Sequence, residues 1–175
     1  MERNRVYTYV KGFIQDSQLK FNAERFQCIK KELDDELAIY FDNGTTVDVE
    51  RPSAKKRCSL QEFALYIGCR AERAYLAASH VTSENLLEDI TDIAAIGVAC
   101  MQEYTPLTPR RGEKEPFTPN SIEEYLWAIV RVARRIQMME TASYAAEDHA
   151  GAAPAVLRSI TELTVLCVAC LIAHG

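Results

Sequence analysis

No apolar run in this chain approaches the roughly 20 residues that a membrane-spanning helix needs. The longest, Ile93–Met101 and Val165–Ala173, stop at nine residues each and read as buried helices. Basic residues are in the minority, with 20 Lys and Arg against 25 Asp and Glu and a formal net charge of -5. That balance disfavours general nucleic-acid binding, which selects for a basic face. The N-terminal MERNRVYTYVKGF is charged early and lacks a long apolar core, so no secretory leader is expected. Histidine is scarce, and His80, His149 and His174 have no zinc-site spacing. Cys167 and Cys170 form a CxxC, yet no second one exists to complete a zinc site, and the pair lies inside an apolar run. Six scattered cysteines of this kind behave as small hydrophobes and suit a reducing cytoplasm.

What is present is an ordinary globular composition, 48% hydrophobic and 26% charged, enough for one well-filled domain. The chain also echoes itself. LLEDITDIAAIGVACM at Leu86–Met101 returns as VLRSITELTVLCVACL at Val156–Leu171, with Asp92 matched to Glu162. Upstream, SLQEF at Ser59–Phe63 returns as SIEEY at Ser121–Tyr125. The first match is offset by 70 residues and the second by 62, so about eight extra residues belong inside the second copy, where AEDHAGAAP at Ala146–Pro154 fits. A duplicated helical hairpin with a pseudo-two-fold axis accounts for both matches.

In chain order, Val6, Tyr9, Val10, Phe13 and Ile14 make one apolar stripe of a helix over residues 2–18. Asn43-Gly44, between β-branched and aromatic residues, is a type I′ turn dipeptide and predicts a β-hairpin over Leu37–Val49, with Phe26–Ile29 a candidate third strand. A competing reading makes Asn22–Tyr40 a helix, which KKELDDEL suits. Ser59 with Glu62 and Ser121 with Glu124 are capping boxes. They open helices over 60–78 and 121–145, and two more follow over 83–102 and 155–173. Residues 103–120 hold four of the six prolines and form a linker. The expectation is a mainly α protein, α+β overall. Residues 1–58 supply a helix and a small β-hairpin, and 59–175 a four-helix bundle of two hairpins, 59–102 and 121–174.

Glu84, Glu88 and Asp92 stand four apart on one helix, with Asp89 beside them. Acids in a first turn favour the helix dipole, but Asp92 stands at the lip of the buried run, as does Glu162 in the second copy. A carboxylate there needs an arginine, a metal or a ligand donor. Arg70 and Arg73 lie on the preceding helix of the first copy, and Arg131, Arg134 and Arg135 in the second. The latter three, at i, i+3 and i+4, suit either phosphate oxygens or pairing with acids across the hairpin.

SIEEYLWAIVRVARRI, an insert, and LRSITELTVLCVACLIA together resemble the all-α nucleoside triphosphate pyrophosphohydrolases of the MazG-like group, and Ser59–Gln102 resembles the same pattern. Their pattern is an apolar helix with EExxE, then a helix with ExxD running into an Ala/Val-rich stretch. In that group four acids hold Mg²⁺ against the triphosphate. The resemblance covers 59–174 and is partial. Asp89 and Asp92 stand for ExxD in the first copy, and only Glu162 does in the second, with Ser159 at the other position. The EExxE positions are Cys69, Arg70 and Arg73, with Glu72 out of step, and Arg131, Val132 and Arg135. Arginines cannot build a metal cage, but they can build an anion site.

Three functions follow. The first is a non-catalytic binder of a nucleotide or other phosphorylated small molecule, which would use Arg70, Arg73, Arg131, Arg134, Arg135, Asp92, Glu162 and Trp127. The second is an active Mg²⁺-dependent pyrophosphohydrolase with Glu72, Glu88, Asp89 and Asp92 catalytic and Glu88, Asp89 and Asp92 on the metal. The third is a helical interaction module with a protein partner. Aromatic residues of the expected hairpin, including Tyr40 and Phe41, lead to the expectation of a homodimer or higher assembly.

Overall fold

The computed structural model describes residues 1–42, 58–78, 83–104, 119–145 and 149–175. Among these the chain is helical throughout, in the order α1 (Arg3–Asp16), α2 (Ala23–Leu37), a π-helical turn (Ala38–Asp42), α3 (Leu60–Ala77), α4 (Ser83–Glu103), α5 (Ile122–Ala145) and α6 (His149–His174).

α1 buries Val6, Tyr7, Val10 and Ile14, close to the expected stripe. It ends at a tight turn in which Gln18 has φ of 57° and Leu19 folds back onto the Ile14 carbonyl. Asn22 then opens α2, its side chain accepting from the Arg25 N–H at 3.0 Å. α2 buries Phe26, Ile29, Leu33 and Leu37, a spacing of 3.6 and not of 2. The strand expected over Phe26–Ile29 is therefore helix, and the residues expected to begin the hairpin, from Leu37 to Asp42, complete α2 and its π-helical turn. Burial of that four-residue stripe outweighs the β preference of AIYF. Asn43-Gly44 and the rest of the expected hairpin lie outside the described residues.

Both serines cap their helices as read. Ser59 Oγ accepts from Glu62 N at 3.1 Å, and Ser121 Oγ from Glu124 N at 3.2 Å. Glu124 reciprocates by accepting the Asn120 N–H at 2.7 Å. From these starts α3 packs on α4 and α5 on α6, and the two hairpins join with α4 against α6 and α3 against α5. Gly68 lies beside Gln137, Glu72 beside Arg134 and Tyr75 beside Trp127, so α3 and α5 run antiparallel. α1 and α2 cover α4 and α6.

α6 starts earlier than the sequence suggests and carries Pro154 inside it. Only one intrahelical bond is lost there, near the start of a long helix. Ala153–His174 has the length and mean hydropathy, 2.0, to cross a membrane, but 78% of its most apolar stretch is buried inside the bundle, as befits a core helix. The buried hydroxyls of Thr161 and Thr164 donate back to the Leu157 and Ile160 carbonyls, so they ask nothing of neighbouring helices. Cys100, Cys167 and Cys170 are buried free thiols, and burial raises all three well away from the reactive thiolate range.

α4 and α6 approach closely at Gly97, where a Cβ would overlap the Thr164 hydroxyl. Gly97→Ala should lower thermal stability by about 1–3 kcal/mol through overpacking, although alanine is the better helix former by about 1 kcal/mol. Removing the hydroxyl in Gly97→Ala/Thr164→Ala should restore most of the loss. A Gly97→Ala protein that melts at or above the parent temperature contradicts this contact.

Candidate functional site

The α3–α4 hairpin carries a row of alternating charge. Arg70 and Arg73 project from α3 one turn apart, and Asp89 and Asp92 from α4 in the same way, so each pair shares a face. Arg70 Nη1 donates to Asp92 Oδ2 at 3.0 Å. Arg73 Nη2 donates to Asp89 and lies 3.8 Å from Asp92 Oδ2. The second hairpin has a sparser version. Arg135 Nη2 donates to Glu162 Oε2 at 2.5 Å, and those two residues are the sequence matches of Arg73 and Asp92.

Beside Asp92 the first hairpin opens into a cavity of about 280 Å³, closed on its far side by α2 and the π-helical turn. Its walls are Tyr40, Phe41, Tyr66, Ala95 and Ile96 with the two cysteines Cys58 and Cys69, and its charged groups are Glu36, Arg70 and Asp92. Burial pushes the Asp92 carboxyl up despite the two arginines, which pull it down. Glu36 is also pushed up, first by burial, then by the Asp92 charge and by a hydrogen bond between the two side chains. The two carboxyl groups thus stand together with Arg70 on a single polar edge of the cavity.

The other expected site residues lie elsewhere. Arg134 Nε donates to Glu72 Oε1 at 2.9 Å, and its guanidinium stands 5.0 Å over the Tyr75 ring. That bond to Glu72 raises the Arg134 pKa further. Trp127 lies against Tyr75, ring centroids 6.3 Å apart, beside a shallow groove of about 420 Å³. Arg131 is exposed and has no ion-pair partner among the described residues. Of the arginine cluster on α5, then, two members pair with acids across the bundle, the arrangement that competed with phosphate binding in the sequence.

The acids proposed for hydrolysis are divided in the same way. Glu72 is held by α5, while Asp89 and Asp92 are held by Arg73 and Arg70. Among the described residues no three His, Cys, Asp or Glu side chains are grouped to hold a metal ion, so Glu88, Asp89 and Asp92 do not form the expected cluster. The sequence reading missed Glu36 as a site residue. Its signal was its place on α2, three residues after Leu33 and one before Leu37, a charged residue flanking a buried stripe. Comparison with known protein families, curated proteins and solved structures finds no match to this chain.

The raised carboxyls predict a definite pH response. A folded-state pKa above the ordinary value means the native state binds protons more tightly. The associated stability is present in full below the ordinary carboxylate range and is lost as pH rises through the raised folded values. Unfolding free energy should therefore fall across that window, and Glu36→Gln should flatten the fall. In a carboxyl carbon NMR titration, Asp92→Asn should bring Glu36 down towards its ordinary value. An unmoved Glu36 in that titration contradicts the coupling.

Proposed function

We propose that the protein is a non-catalytic binder of a nucleotide-class small molecule, held by the cavity between α2, α3 and α4. The observation that carries this is the pairing, in one cavity, of aromatic walls with a polar edge made by Arg70, Asp92 and Glu36. At about 280 Å³ the space is near the lower end of ligand pockets, roughly 300–1,000 Å³, and suits a nucleobase with part of its sugar. A base offers amino and ring-nitrogen groups that the Glu36 and Asp92 carboxyl groups meet as acceptors and the Arg70 guanidinium as a donor. Tyr40, Phe41 and Tyr66 offer stacking surface, worth about 1–3 kcal/mol per base. Phosphates extend outward, where Arg73 stands at the rim of the same ion-pair row.

We propose further that the bundle derives from a duplicated hairpin of MazG-like type. Support comes from the paired serine caps, from the matched ion pairs of Arg73 with Asp92 and Arg135 with Glu162, and from Glu72 with Arg134, which occupy equivalent positions of the two copies. Hydrolysis has less support, because arginines already occupy the acids that a magnesium ion would need.

Melting curves and calorimetry against nucleoside mono-, di- and triphosphates, cyclic nucleotides and NAD-derived molecules, with and without Mg²⁺, test the reading. We expect one class to raise the melting temperature without metal. Arg70→Ala and the cavity-filling Ala95→Leu should each weaken it at least tenfold, about 1.4 kcal/mol, and Arg131→Ala should leave it unchanged. No shift with any ligand, or a shift indifferent to Ala95→Leu, overturns the cavity assignment. A magnesium-dependent shift with pyrophosphate release puts hydrolysis in its place.

A further inference from the structure

The outer face of the α3–α5 pair carries large apolar side chains where a solvated face would be polar. Leu65 and Leu76 on α3 are 58% and 69% exposed, and Trp127 and Met138 on α5 are 49% and 72% exposed. Their placement is regular. On α3, Leu65, Cys69, Glu72 and Leu76 recur at i, i+4, i+7 and i+11, a single outward stripe. The 62-residue offset between the hairpins carries Leu65 onto Trp127 and Leu76 onto Met138. It carries Cys69 onto Arg131 and Glu72 onto Arg134, so α5 has the same stripe with the same apolar ends. Isolated exposed hydrophobics need no explanation, but four at two equivalent positions of a repeated pattern do.

We infer that this face is the contact surface for a second copy of the chain. Because α3 and α5 are antiparallel, Leu65 stands level with Met138 and Leu76 level with Trp127, giving a face with two apolar ends and a charged middle. Such a face is self-complementary under a two-fold axis lying in its plane. With the axis parallel to the helices, α3 of each copy covers α5 of the other. Leu65 then meets Met138, Leu76 meets Trp127, and Glu72 meets the Arg131–Arg134 pair. With the axis across the helices, α3 covers α3, Glu72 faces Cys69 and Arg131 faces Arg134. Charge selects the first arrangement, and it gives Arg131, which has no ion-pair partner in its own chain among the described residues, an acid to meet. The four apolar side chains expose on the order of 500 Å², which with Tyr75 and the charged middle approaches the ~800 Å² per partner of a standard interface.

Sedimentation of the full chain across a concentration series reads this directly. We expect a concentration-dependent dimer whose dissociation constant rises at least tenfold in Leu76→Glu/Met138→Glu, with the circular dichroism of the parent. As a readout independent of that variant, the exposed cysteines are replaced by serine and two chains are made, one with Leu76→Cys and one with Trp127→Cys. Mixed and treated with a short bis-maleimide, they should give the cross-linked heterodimer in preference to either homodimer. A chain that stays monomeric throughout, a dimer indifferent to Leu76→Glu/Met138→Glu, or cross-linking that favours the homodimers overturns the assignment.

Discussion

A helix that is apolar on all but one narrow stripe has to be enclosed, and α6 is such a helix. From Val156 to Ile172 only Arg158, Glu162 and Leu166 escape full burial. α4 and α5 cover two flanks, and α1 and α2 add the rest of the cover. The N-terminal helices are thereby part of one core with the bundle, which a division of the chain at residue 58 would not suggest. Burial of this surface is the dominant favourable term available to the fold. It also determines where polar groups can stand, at the lips of the apolar runs.

At those lips the two hairpins differ in charge. The first keeps two arginines and two aspartates in a connected row and presents a cavity beside it. In the second, Val132 and Ser159 occupy the positions matching Arg70 and Asp89, and one ion pair remains. Exposed pairs of that kind contribute little to stability, typically below about 1 kcal/mol. The partly buried row around Asp92 is different, because its carboxyl is desolvated enough for burial to outweigh two neighbouring cations.

The four bundle helices were legible because capping serines and long apolar periods gave the same answer at every level, and α3, α4 and α5 begin and end within a residue of where those signals place them. The α6 start was not, since Gly151 and Pro154 read locally as a break, while the helix gains cooperativity by running through them. Around residues 37–42 the sequence offered a turn dipeptide and β-branched residues against a four-position helical stripe, and long-range burial decided for the stripe. The ion pairs were visible as one of two alternatives. The cavity was not, because Glu36 reaches Asp92 only through the packing of α2 on α4, and no local spacing encodes that contact.

Thr161 and Thr164 satisfy their own hydroxyls within α6, and Gly97 leaves room for one of them. At Gly97 the joint between α4 and α6 is thus keyed by shape, a projecting methyl and hydroxyl against a missing side chain. A core of this type stores its alignment as volume. Apolar substitutions that conserve size are the ones it tolerates best, and a change of one methyl group at the key is felt along both helices.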